Sequence, residues 1–80
     1  MLIEVSEKIL FSIFGFRDLE TINDFYEMSF TEEEGFYLLV EEADWGFIIY
    51  NIDREFIMDT HFHEMSSSTV QYLRRKLSCE

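Results

Sequence analysis

Apolar and polar positions between Phe36 and Phe62 fall into three short runs that are separated by chain-breaking segments. The runs cover residues 36–42, 47–51 and 55–62, and the breaks at 43–46 and 52–54 contain glycine and aspartate. Runs of this length that are rich in aromatic and β-branched residues are typical of strands, and connections this short join antiparallel neighbours. The pattern therefore predicts a three-stranded antiparallel β-meander in the middle of the chain.

The two outer runs differ in how their apolar residues are placed. Residues 36–42 are apolar on both sides for most of their length, which is typical of a central strand. In the last run, one side is polar, and this favours an edge strand with a wetted face. Strict alternation assigns Phe56, Met58, Thr60 and Phe62 to one face of that strand and Ile57, Asp59, His61 and His63 to the other.

The segments around the meander carry helix signals. Residues 2–16 fit both periods; we favour a helix that ends at Gly15, and the alternative is a fourth strand. Residues 18–29 predict a helix, because Asp18 can cap its first turn and apolar residues recur at helical spacing. A final helix is expected to start at one of the serines 66–68 and to run to about Leu77.

These elements predict one α+β domain over residues 1–80, with a three- to four-stranded antiparallel sheet and two or three packed helices. Eighty residues, 48% of them hydrophobic, supply material for one core only. Because the chain begins with Met and has no proline or low-complexity linker, we expect a complete short reading frame. The aromatic content of 18% could exceed what one small core needs, and any surplus would form an interface with another protein or close a homodimer.

The charge is strongly one-sided, with 17 acidic residues against 6 basic ones and a net charge of -11. Direct binding to nucleic acid or to an anionic membrane needs many cations on one face, so both are excluded as functions. A basic protein, in particular a nucleic-acid-binding effector, is the complementary partner. A single cysteine and the lack of a signal-peptide pattern favour a cytoplasmic location.

Two acidic segments are the candidate partner-binding sites. One is the loop before the first strand of the meander, and the other is the first hairpin, where a tryptophan at the tip could anchor a partner. We expect their carboxylates to gather into a single field. The candidate residues are Glu32, Glu33, Glu34, Glu41, Glu42, Asp44 and Trp45.

One short stretch carries possible chemistry. Residues 57–64 resemble the first-strand metal motif of TatD-like amidohydrolase barrels, in which a His-x-His pair, here His61 and His63, holds a divalent metal. Such a barrel requires about 200 or more residues, far more than the tail that follows Glu64. We therefore interpret Asp59 and the two histidines as a polar strand face and expect no metal, no cofactor and no catalytic residue. Cys79, next to the chain end, is expected to be structurally unimportant.

The leading hypothesis is a small inhibitor that presents acidic and aromatic surface to a basic, nucleic-acid-binding protein. Phage anti-defence proteins, including anti-CRISPR and anti-restriction DNA mimics, are similar in size and charge. One alternative is an immunity protein or antitoxin that neutralises a toxin nuclease. Another is a self-associating structural or regulatory module, whose charge only maintains solubility.

Overall fold

A computed structural model describes residues 1–78, so the expectation for Cys79 lies outside the described residues. The protein has an α+β fold, as the sequence predicts. Residues 1–78 form four strands, three α-helices and a short 3₁₀ turn. They are β1 (Leu2–Val5), α1 (Glu7–Phe14), α2 (Leu19–Tyr26), β2 (Phe36–Glu42), β3 (Gly46–Tyr50), β4 (Phe56–His61), the 3₁₀ turn (Phe62–Glu64) and α3 (Ser67–Ser78).

The strands form one antiparallel sheet in the order β1-β2-β3-β4. The predicted meander is confirmed as β2, β3 and β4, and β1 pairs with β2 on its other side. As expected, β2 is a central strand and β4 an edge strand.

The N-terminal segment combines the two structures that its pattern allowed. Ile3 and Val5 alternate as a strand requires, and the single helix favoured for residues 2–16 is therefore wrong over its first part. Ser6 then begins α1, because its hydroxyl accepts a hydrogen bond from the Ile9 amide at 3.3 Å. The helix ends, as predicted, at Gly15, which has the left-handed φ of 78° that glycine adopts without a steric penalty.

Helix α2 starts as predicted and ends early. The Asp18 carboxylate accepts a hydrogen bond from the Thr21 amide at 2.7 Å and so caps the first turn. The predicted extension to Ser29 is wrong, because Glu27 takes a left-handed conformation and stops the helix after Tyr26. The Asn23 side chain then bonds both the amide and the carbonyl of Phe30, which holds the returning chain against the helix.

Helix α3 begins after Ser66, one of the three predicted capping residues. The Ser66 hydroxyl accepts a hydrogen bond from the Thr69 amide at 3.3 Å. The buried Thr69 hydroxyl also bonds Ser66, at 2.8 Å, and Ser12 of α1, at 2.7 Å. These bonds satisfy a polar group inside the α1–α3 contact, where an unpaired hydroxyl would be costly.

The helices pack on one face of the sheet, which we call the core face. Its strand residues are Ile3, Val5, Phe36, Leu38, Val40, Phe47 and Ile49, all buried. They join Leu10, Ile13 and Phe14 of α1, Ile22 of α2 and Leu73 of α3 in one hydrophobic cluster. The opposite side of the sheet, which we call the open face, consists of Leu2, Glu4, Tyr37, Leu39, Glu41, Ile48, Tyr50, Phe56 and Asp59.

A bulge in β4 corrects the predicted faces of that strand. The pairing shifts between Ile49 and Tyr50, so Tyr50 faces Phe56 whereas Ile49 faces Met58. The extra residue breaks the alternation. As a result Phe56 lies beside Tyr50, with ring centroids 6.4 Å apart, and Ile57 packs against the core. Strict alternation had predicted the opposite, with Phe56 on the face of Met58 and Ile57 on the face of Asp59.

Candidate partner-binding surface

The open face carries a row of apolar side chains across all four strands. Leu2 pairs with Leu39, Leu39 with Tyr50, and Tyr50 with Phe56, so one residue of each strand contributes. We call this row the apolar belt. With strands about 4.8 Å apart, it is roughly 14 Å long.

The belt is accessible to solvent. Phe56 is 62% exposed and Leu2 54% exposed, and Leu39 and Tyr50 between them are half-buried. Tyr37, in the neighbouring row, is 41% exposed. Leu39, Ile48 and Tyr50 lie outside the hydrophobic cluster of the core, so among residues 1–78 the helices leave this side of the sheet uncovered.

Carboxylates lie on both sides of the belt. On one side Glu4 pairs with Tyr37, and on the other Glu41 and Asp59 both pair with Ile48. The four strands contain no lysine or arginine. Over the strands, the rim of the apolar belt therefore carries carboxylates and no lysine or arginine, and His61 lies at one end.

The open face also perturbs an ionisable group. Burial raises the pKa of Tyr50 above its ordinary value of 10.0, and the charge of Glu41 and a hydrogen bond to it raise that pKa further. Glu41 therefore lies close to the belt itself, where its charge is felt by an aromatic side chain.

The first predicted acidic segment, Glu32 to Glu34, lies in the turn before β2. Thr31 and Gly35 form an isolated bridge across this turn, and the Thr31 hydroxyl donates to the Glu34 carboxylate at 3.2 Å. Burial raises the pKa of Glu7 above its ordinary value of 4.5, and a hydrogen bond to Glu32 and the charge of Glu32 raise it further.

The second predicted segment, the β2–β3 hairpin, divides between the two sides of the sheet. Glu41 is on the open face, whereas Glu42 binds the Arg74 Nε of α3 through its Oε2 at 3.2 Å. This is the single ion pair of residues 1–78. Asp44 is exposed in the hairpin turn.

Trp45 keeps part of its indole in solvent. It is 39% exposed and packs on the His61 ring with a centroid separation of 4.7 Å. The structure thus places an accessible tryptophan at the end of the open face, beside Gly46 and His61, which pair across β3 and β4.

The two acidic segments are not adjacent. They lie at opposite ends of β2, whose length from Phe36 to Glu42 is roughly 20 Å. The single carboxylate field that the sequence suggested is thus divided, and the open face lies between its parts. The sequence analysis did not predict the belt. The signal was present in residues 36–42, because a strand that is apolar on both sides places apolar side chains on each face of the sheet.

A groove with a volume of about 500 Å³ lies at the β2 start of the sheet. Phe30 and Ile52 contribute apolar surface, and Tyr37 connects the groove with the open face. Its acidic lining residues are Glu27, Glu34, Asp53 and Glu55. The groove therefore continues the acidic and aromatic character of the open face around one end.

The histidine-containing stretch has no metal-site geometry. His61 and His63 rings are 5.5 Å apart, and residues 1–78 contain no group of three or more possible ligands that could hold a metal ion. His61 instead contacts Trp45.

The described helices include none with the length and apolar character needed to cross a membrane. Comparison with protein-family models, with curated proteins and with solved structures found no match. The functional argument therefore rests on the surface of this chain.

Proposed function

We propose that this protein binds a basic, nucleic-acid-binding protein and inhibits it by occupying its phosphate-binding surface. The observation that carries the proposal is the excess of carboxylates without cationic partners. Residues 1–78 contain 16 of the 17 acidic residues of the chain, yet they hold one ion pair, Arg74 with Glu42. The remaining negative charge is free to attract a basic surface.

A phosphate-binding surface is the natural target of such a charge distribution. Proteins neutralise nucleic-acid phosphates with clusters of lysine and arginine, and these clusters bind carboxylates as well. Anti-CRISPR and anti-restriction DNA mimics are similar to this protein in size and charge, and an immunity protein that neutralises a toxin nuclease would act on a different partner. A cytoplasmic location agrees with the single cysteine.

The test is competition with nucleic acid. The tagged protein is used to isolate partners from a lysate at low and raised salt, the partners are identified, and each is purified. We expect the relevant partner to be basic, to be lost from the capture as salt rises, and to release its nucleic acid when this protein is added in stoichiometric amount. A partner that keeps its nucleic acid in the complex would overturn the inhibitory function.

Two neutralised variants assign the effect to an acidic segment. One carries Glu32→Gln, Glu33→Gln and Glu34→Gln, and the other carries Glu41→Gln and Asp44→Asn. Both remove exposed charge and leave the Glu42–Arg74 ion pair intact. We expect the second variant to lose more inhibition, since Glu41 lies on the open face itself, whereas Glu32–Glu34 lie in the turn before β2. Unchanged inhibition in both variants would show that charge does not drive binding.

A further inference from the structure

We propose that the open face of the sheet is the docking surface, and that its occupant is a protein surface with an apolar centre flanked by arginine or lysine. This inference rests on the proposed function and deepens it by naming the surface and the chemistry of its complement. The apolar belt would form the dry centre of the interface, and the carboxylates beside it would pair with the cations.

The belt has the composition of an interface centre. Interfaces are enriched in aromatic residues at their centre and polar at their rim. Tyr50 and Phe56 meet edge to face at 6.4 Å and an interplanar angle of 80°, and Tyr37 and Trp45 add partly exposed aromatic surface to either side. Side chains of this kind supply most of the affinity where a partner covers them.

Charge decides the occupant. The strands supply Glu4, Glu41 and Asp59 to the open face and no lysine or arginine. A second copy placed face to face would bring these carboxylates against the same carboxylates, which costs free energy on burial. A basic partner places an opposite charge at each of them, so the same three residues favour it and disfavour self-association.

The location of the cations supports this choice. Lys8 lies in α1 and three basic residues, Arg74, Arg75 and Lys76, lie in α3, all in the layer that covers the core face. Arg17 lies between α1 and α2, and Arg54 lies in the β3–β4 turn, outside the strands. The helical layer therefore carries lysine and arginine of its own, whereas the strands of the open face carry none.

Selection from a phage-displayed library of random linear peptides, with the whole protein immobilised, tests the surface before the partner is known. We expect selected peptides to combine arginine or lysine with aromatic or leucine residues. A synthetic peptide of the selected sequence should shift the backbone amide signals of Tyr37, Leu39, Ile48 and Tyr50 in NMR spectra of the labelled protein. Its affinity is then measured for the variants.

Three variants separate the contributions. Phe56→Ser removes the most exposed ring of the belt, and Asp59→Lys reverses one charge at its rim. Each should weaken peptide binding by about tenfold or more. Asp24→Lys makes the same charge reversal on the exposed side of α2 and should leave binding within about twofold. Amide spectra of all three confirm that the fold is kept.

The outcomes distinguish the docking surface from the proposed function. Basic peptides that bind at Glu32–Glu34 or on α2 would overturn the docking surface and leave the function standing. Apolar peptides without basic residues that bind the belt would overturn the basic partner and leave the surface standing. A dimer in sedimentation that Phe56→Ser dissociates would identify a second copy as the occupant, and failure to select any peptide would overturn the docking surface.

Discussion

Leu38 and Leu39 are neighbours of the same residue type on a central strand, and they lie in two different environments. Leu38 is fully buried under the helices, and Leu39 lies half-buried in the belt on the open face. The core face joins three helices in one cluster, whereas the open face has no covering element among residues 1–78. Apolar residues along one strand therefore form two kinds of surface, one that is packed in the core and one that stays open to solvent.

The sharpest way to break this comparison is a matched pair of substitutions. Leu38→Ala leaves a cavity in the core and should lower the free energy of unfolding by about 2–5 kcal/mol. Leu39→Ala should lower it by less than about 1 kcal/mol, because its site is partly in solvent already. Chemical denaturation of both variants measures the difference. Equal losses would mean that the open face contributes to folding as the core does.

Gly46 lies at the end of the open face, where the backbone of β4 leaves no room for a side chain on β3. A Cβ at this position would overlap the Thr60 carbonyl oxygen and would lie 2.9 Å from the His61 Cα. Gly46→Ala must push the strands apart and should cost about 1–3 kcal/mol. The Phe62 amide, which donates to the Trp45 carbonyl at 3.0 Å, should also exchange faster with solvent. Wild-type protection at Phe62 would contradict the close approach.

A smaller effect is expected from the coupling of Tyr50 and Glu41. Because the pKa of Tyr50 is raised, its contribution to stability is present below pH 10.0 and is lost as the pH rises through the higher, folded value. Glu41→Gln should return the pKa part of the way toward 10.0 and leave the share that is due to burial. Ultraviolet titration of tyrosine follows the change. If the pKa of Tyr50 does not respond to Glu41→Gln, the Glu41 side chain does not lie against the belt.

The helical layer should show the smallest effects, in two opposite directions. The raised pKa of Glu7 gives stability that is present below pH 4.5 and lost as the pH rises. The Thr21 amide and then its hydroxyl lower the pKa of Asp18 below 3.8, so that this contribution is present above 3.8 and lost as the pH falls.

Carbon-detected NMR titration of the side-chain carboxyl groups measures both values. Glu32→Gln should lower the pKa of Glu7 part of the way toward its ordinary value, because the effect of burial remains. Thr21→Val should raise the pKa of Asp18 part of the way toward its ordinary value, because the hydrogen bond from the residue 21 amide remains. Shifts of both groups in either variant would mean that the two helix starts are coupled.

Local chemistry explains which parts of the fold the sequence predicts. The strand runs, the Asp18 and Ser66 caps and the Gly15 stop all depend on residues within a few positions of one another. The early end of α2 depends on the left-handed conformation of Glu27, after which Asn23 bonds Phe30, and the bulge depends on how β4 registers with β3. Such interactions depend on the packed chain, so neither is visible in the pattern of single positions.

The candidate site was predictable to a similar extent. The sequence identifies acidic segments and an exposed tryptophan, but their separation follows from the direction of β2, whose two ends carry them. The position of Phe56 on the open face depends on the bulge. The composition thus predicts an acidic candidate surface. The position of the apolar belt at its centre follows only from the register of β4 against β3.

The two edge strands of the sheet bear on whether one molecule can pair edge to edge with another. β1 is four residues long, and β4 is interrupted by its bulge and carries Asp59. Short, irregular or charged margins are poor templates for an additional strand from a neighbouring molecule. The open face can therefore expose aromatic side chains while the two edge strands disfavour edge-to-edge pairing with another molecule.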